Sequence, residues 1–104
     1  MVRSRSTASL EVAMLTDAIA RKLNMEPQEL ERQSLRAFLE ARRRQVEAEL
    51  FLVAKKHGVR TVEEFDAMVK EGKIREAEGF EDFFTFDHLE AVRDLVTEAL
   101  KGLP

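Results

Sequence analysis

The chain has 104 residues and a net charge of −3, which bounds it to one domain, or one domain with an arm. Its 44% hydrophobic and 36% charged content fits a folded chain without a membrane span, since no run approaches the roughly 18 apolar residues such a span needs. With no cysteine, disulfides, thiol nucleophiles and Cys-based zinc sites are excluded.

Leu, Glu, Arg, Ala and Lys dominate, Trp and Tyr are absent and only two prolines interrupt the chain, a composition suited to helices. Arg3 and Arg5 follow Met1 without an apolar block, so the start does not read as a signal peptide, and the expected location is cytoplasmic. Charge divides unevenly. Residues 1–45 hold nine Lys/Arg against six Asp/Glu, and residues 46–104 hold eight against fourteen. A basic end suits an acidic partner or nucleic acid, and an acidic end suits a basic partner.

In chain order, Leu10, Met14, Leu15, Ala18, Ile19 and Leu23 fall at helical spacing and predict a first helix from about Ser9 to Leu23. Arg21 and Lys22 suit its last turn, where the helix dipole favours cations. Val2 to Thr7, with Leu10 to Val12 as an extension, is the sole candidate for an edge strand. Asn24 to Pro27 breaks the pattern, and Pro27 suits the first turn of a second helix. That helix runs to about Lys56, roughly 45 Å at 1.5 Å per residue. Its first half carries Arg32, Arg36, Arg42, Arg43 and Arg44, and its second reads Ala48-Glu49-Leu50-Phe51-Leu52-Val53-Ala54. A stretch apolar on nearly every side has to be buried all round, which calls for a partner chain. Gly58 is a C-terminal stop.

Thr61-Val62-Glu63-Glu64 has the form of a capping box and predicts a short helix with Phe65, Met68 and Val69 on one face, ended by Gly72. A charged connector, Lys73 to Gly79, and a cluster of Phe80, Phe83, Phe84 and Phe86 follow. Asp87-His88-Leu89-Glu90 reads as the cap of a last helix of about 15 residues, carrying Leu89, Val92, Val96, Ala99 and Leu100. This helix would pack antiparallel on the apolar half of the second, with the Phe cluster closing the turn.

Catalytic chemistry finds little to work with. His57 and His88 are not at metal-binding helical spacing and each falls at a predicted helix end. His57 reads as a dipole partner, and His88 with Glu81, Asp82 and Asp87 as a solvated acidic cap. There is no Gly-rich phosphate loop and no nucleophile–base order. The chain is therefore read as no enzyme and as holding no cofactor or metal. Arg32, Arg36 and Arg43 share a stripe, which either pairs with Glu29, Glu40 and Glu47 or, with Arg3 and Arg5, contacts phosphates or an acidic partner. Leu35, Phe38, Leu39, Phe51, Phe80, Phe83 and Phe84 are the candidate partner interface, because aromatic and large apolar anchors dominate interface energetics.

Two segments resemble a known family. Ala20-Arg-Lys-Leu-Asn-Met-Glu-Pro-Gln-Glu-Leu, leading into Ser34-Leu-Arg-Ala-Phe-Leu39, resembles the turn and helix of small ribbon-helix-helix and related antitoxin subunits. The stretch from His57-Gly-Val-Arg to Glu81-Asp-Phe-Phe-x-x-Asp-His-Leu-Glu90 is similar to uncharacterised archaeal and bacterial proteins often taken as antitoxin-like partners of small ribonuclease toxins. Asn24 stands where that family has Gly, and Glu26 where it has a Ser cap. The resemblance implies an N-terminal strand that pairs with its twin in DNA, with Arg3 and Arg5 as readers.

Together these readings predict an all-α, elongated helical hairpin with one long central helix, a short connecting helix and an N-terminal helical arm, in an oligomer. Residues 1–26 form the arm, and residues 27–104 the long helix, short helix, Phe-rich connector and C-terminal helix. The expected function is a non-catalytic protein–protein interaction module, most sharply an antitoxin-like subunit neutralising a toxin. The alternatives are a DNA-binding regulator of the ribbon-helix-helix type and a structural adaptor. Expected partners are a second copy and a cognate toxin, with DNA as an alternative and no membrane.

Overall fold

A computed structural model describes the backbone of residues 2–104 and the side chains of residues 7–75 and 79–104. It is all-α, with four helices: α1 (Val2–Lys22), α2 (Pro27–His57), α3 (Val62–Lys70) and α4 (Glu76–Lys101). The described residues form no strand, and the candidate edge strand at Val2 to Thr7, with its extension at Leu10 to Val12, is helix instead. Neither Gly nor Pro lies between Val2 and Leu23 to stop α1, and an isolated strand lacks the ladder that would stabilise it. No helix is long and apolar enough to cross a membrane among these residues.

Three of the four helices end in the same local geometry. Asn24 (φ 56°), Gly58 (φ 66°) and Gly72 (φ 74°) adopt the left-handed conformation, and the next residue's N–H donates five positions back. These bonds run from Met25 to Ala20 (2.9 Å), from Val59 to Ala54 (3.0 Å) and from Lys73 to Met68 (3.0 Å), satisfying carbonyls the helix would otherwise leave orphaned. Asn tolerates this conformation at Asn24 because its short polar side chain reduces the cost. At the α3 N-terminus, Thr61 Oγ1 accepts from Glu64 N–H at 3.1 Å, and Glu64 Oε2 accepts from Arg60 N–H at 2.8 Å. The reciprocal half of the capping box therefore falls on Arg60, one residue before the expected position.

The last helix is longer than expected. It begins at Glu76, so the predicted connector and the Phe cluster lie largely inside α4, a helix of 26 residues. Gly79 is buried, and a Cβ built there would meet Val69 Cγ2 at 3.0 Å and Ile74 Cγ2 at 3.2 Å. A residue that looks like a helix breaker is thus a close-approach point between α4 and α3.

By its contacts the chain divides into two compact units, Met1–Phe38 with Leu103–Pro104, and Leu39–Gly102. In the first, Ala20 is fully buried. In the second, the outer part of α2 and α4 form the expected helical hairpin, with Val46, Leu50, Phe86 and Leu89 as its core and Val53, Ala54, Val62 and Val92 packed against them. α3 closes the turn. Fully buried Phe65 meets the His57 ring edge-on at 4.5 Å and lies nearly parallel to Phe86 at 6.3 Å.

Two substitutions separate packing from backbone effects. Phe65→Ala is expected to lower unfolding free energy by about 3–5 kcal/mol, as large-to-small core changes do. Gly58→Ala meets no neighbour, so it should cost only the left-handed penalty of about 1–2 kcal/mol. Urea denaturation with equal m-values for all variants checks both.

Candidate functional site

Four surface features stand out, each within one unit. In the first unit, α1 leaves Leu10, Val12, Met14, Leu15 and Leu23 largely exposed, Met14 at 71%. The start of α2 adds exposed Leu35 and Phe38, while Leu30 and Leu39 are half-buried. The arginine stripe is partly engaged. Arg32 pairs with Glu29 and also donates through Nη1 to the Pro104 carbonyl at 2.8 Å. Arg32, then Gln33, holds the Glu29 carboxyl below its usual range. In the second unit Arg43 lies 3.9 Å from Glu47, and Arg42 bonds Gln45 at 3.4 Å. Arg36 is half-buried. Of the expected Glu partners, Glu29 and Glu47 are engaged by Arg32 and Arg43. The Arg3 and Arg5 side chains lie outside the described residues.

The second feature is a knot of charge at the hairpin's closed end. Asp82, one turn into the described part of α4, accepts from Lys56 Nζ at 2.8 Å and lies 2.6 Å from His57 Nε2. Lys56 first, then His57, holds the Asp82 carboxyl below the usual value of 3.8. His57 does sit at a helix end, but its partner is this carboxylate. Asp82 is also withdrawn from the acidic group around His88. Among the described residues, no group of three or more His, Cys, Asp or Glu side chains could hold a metal.

The third feature is the outer face of α4. Contrary to the expectation that the Phe cluster closes the turn as a unit, it does not act as one mini-core. Phe86 is buried and Phe83 half-buried, touching Phe65 and Phe84 with ring centroids at 6.3 and 5.7 Å. Phe84 is 66% exposed and Leu95 69%, and Phe80 is about half exposed. At 100° per residue, Phe80, Phe84, Asp87, Ala91, Asp94, Leu95 and Glu98 fall on one face, opposite buried Phe86, Leu89 and Val96. Arg93 bonds Asp94 from the groove side of α4, and Lys101 bonds Glu98 from the edge of this stripe.

The fourth is a groove of about 610 Å³ between α2 and α4. Leu50, Ala54, Val59 and Phe86 make its floor, Phe51 with Lys55 one side, and Glu90 with Arg93 the other. Burial raises the Glu90 carboxyl above its usual 4.5, helped by Glu63 and Asp94 and opposed by Arg93 and the Val62 N–H. The all-round apolar stretch of α2 is not all buried within this chain, for Phe51 and Leu52 remain exposed. Sequence reasoning singled out neither Asp82 as an ion-pair hub nor Glu90 as a groove residue. Lys56 and His57 lie 26 and 25 positions from Asp82, and the Val62 N–H that Glu90 meets is equally remote in sequence, beyond any local pattern.

A family model described as the Uncharacterized protein MJ0235 family matches residues 14–103. The chain belongs to that family. The match takes in the groove, the α4 face and the charge knot, and begins within α1 at Met14. No curated protein and no solved structure matches the chain.

Asp82 and Glu90 predict opposite pH effects. A depressed pKa contributes stability above the unfolded value that is lost as pH falls through the folded one. Asp82 therefore makes the fold acid-labile below about pH 3.8, and Asp82→Asn should flatten the loss measured by thermal melts there. A raised pKa works the other way: Glu90's contribution is full below 4.5 and lost as pH rises through its folded value. Thermal melts should therefore show Glu90→Gln gaining on the wild type as pH rises above about 4.5.

Proposed function

We propose that the chain is a non-catalytic protein–protein interaction subunit whose partner is a basic protein, with an antitoxin-like role against a ribonuclease-type toxin as its most specific form. The observation supporting this is the second apolar face of α4. One face of the helix is filled by α2 and α3, and the other presents Phe80, Phe84 and Leu95 to solvent. An apolar patch set among charges is the usual mark of an interaction site, and aromatic anchors supply most of the energy of such contacts. The charges set among them, Asp87, Asp94 and Glu98, are acidic, Asp94 and Glu98 being shared with Arg93 and Lys101, and acidic charge suits a basic surface and would speed encounter with it.

The resemblance to ribbon-helix-helix antitoxins supplied the toxin as partner. The DNA-reading strand that the same resemblance implied is absent, since residues 2–12 are helical. The interaction reading does not depend on that strand, because its surface lies on α4.

The test is affinity capture of the tagged chain from its native cells, with mass spectrometry of stoichiometric co-eluates. One small basic protein is expected with the wild type. The double substitution Phe84→Glu/Leu95→Glu, checked for unchanged helicity, should cut its recovery by about tenfold or more, as loss of two anchors implies. Co-expression with that protein should relieve its toxicity if it is a toxin. Recovery of the bait alone, or of the same partner with the double variant, would refute the proposal.

A further inference from the structure

The groove between α2 and α4 lies on a different side of the hairpin from the Phe84 face, and its argument stands independently of the proposed function. Along α2, Glu47, Phe51 and Lys55 follow each other at intervals of four and make one ridge on the groove's edge. Phe51 is 63% exposed, and Lys55 Nζ stands 6.0 Å from the centre of its ring. In order, the ridge is an anion, a phenyl ring and a cation.

Such a ridge is complementary to itself in reverse. Helices most often pack by interdigitating ridges of four-residue spacing. If two copies cross antiparallel about a two-fold axis at Phe51, each Glu47 comes opposite the other copy's Lys55, and each Lys55 opposite the other's Glu47. A two-fold interface has to be self-complementary in just this way. The same operation brings each Phe51 over the other copy's groove, where Leu50, Ala54, Val59 and Phe86 offer an apolar floor. Ala54 on α2 and Gly58 just beyond its end, small residues lining the groove, leave room for the ring.

We propose that this groove is a homodimer interface, occupied by a second copy of the chain crossing antiparallel at Phe51, with two Glu47–Lys55 pairs across the axis. A helix of another protein would have no need of an anion–ring–cation order symmetric about its centre.

Sedimentation equilibrium of the full chain, over a wide concentration range, tests the proposal. The wild type should dimerise. Glu47→Lys and Lys55→Glu should each weaken the dimer by roughly tenfold, since each sets like charges opposite one another twice. The double substitution Glu47→Lys/Lys55→Glu restores both pairs and should recover most of the affinity. Phe84→Glu should leave the dimer unchanged, which separates this surface from the α4 face. A second measurement uses the absence of native cysteine. Phe51→Cys lies on the axis and should cross-link under mild oxidation, whereas Leu52→Cys, turned about 100° away, should not. Circular dichroism melts confirm that each variant is folded. A monomeric wild type would overturn the proposal, as a groove meant for another protein or a small amphiphile would behave. So would a double swap no better than the single ones, or cross-linking that favours residue 52.

Discussion

Phe65 is where the second unit is held together. Its ring is fully buried and is met by His57 at the end of α2 and by Phe83 and Phe86 from α4. A helix of nine residues has almost no stability of its own, so α3 persists because this ring is enclosed and because Thr61 and Glu64 satisfy its first N–H groups. The reverse also holds. With α3 seated, Gly79 can approach Val69 and Ile74, and α4 can start early enough to place Asp82 beside Lys56 and His57. Around the ring, burial supplies the energy and the charged cluster contributes direction. An ion pair part-exposed to water is worth little by itself, but one carboxylate shared by Lys56 and His57 from the last turn of α2 favours a single pairing of the helix ends.

A small core leaves much of a helical chain's apolar residue unburied. The second unit's buried cluster is only Val46, Leu50, Phe86 and Leu89, with their part-buried neighbours. Phe51, Leu52, Phe80, Phe84 and Leu95 remain outside it. Scattered exposed apolar residues are ordinary on a protein surface. These are not scattered: Phe80, Phe84 and Leu95 share one face of α4, and Phe51 edges a groove whose floor is already apolar. Two faces on one hairpin, one acidic and aromatic and the other charged in a self-reversing order, suit two different kinds of neighbour. On the two readings proposed above, a small chain would associate with itself through one face and keep the other for a partner.

Local chemistry made most of the helix ends legible. Asn24, Gly58 and Gly72 stop helices through their own backbone preference, and Pro27 and Thr61 start them, each within a few residues of its effect. The ends of α1 and α4 that were misjudged are those where propensity and packing disagree. Gly79 costs a helix about 1 kcal/mol by propensity, but its missing side chain permits the close contact with α3, and the contact prevails. At the other terminus, the Ser- and Arg-rich start shows no apolar period, and nothing in it breaks a helix either.

The candidate surfaces divide in the same way. The sequence alone showed an all-α chain and a long second helix with basic and apolar halves, and offered Phe51, Phe80 and Phe84 as candidate interface residues, because composition and 3.6-residue periodicity are local properties. It could not show that Phe86 turns inward while Phe84 turns out, for the two share a cluster and differ only by their angle on a helix whose start was hidden. Nor could it bring Asp82 to His57, or Glu90 and Phe86 to the groove edged by Phe51. Those meetings depend on how α2 and α4 are set against each other, and that setting is decided by side chains more than twenty residues apart closing on one buried ring.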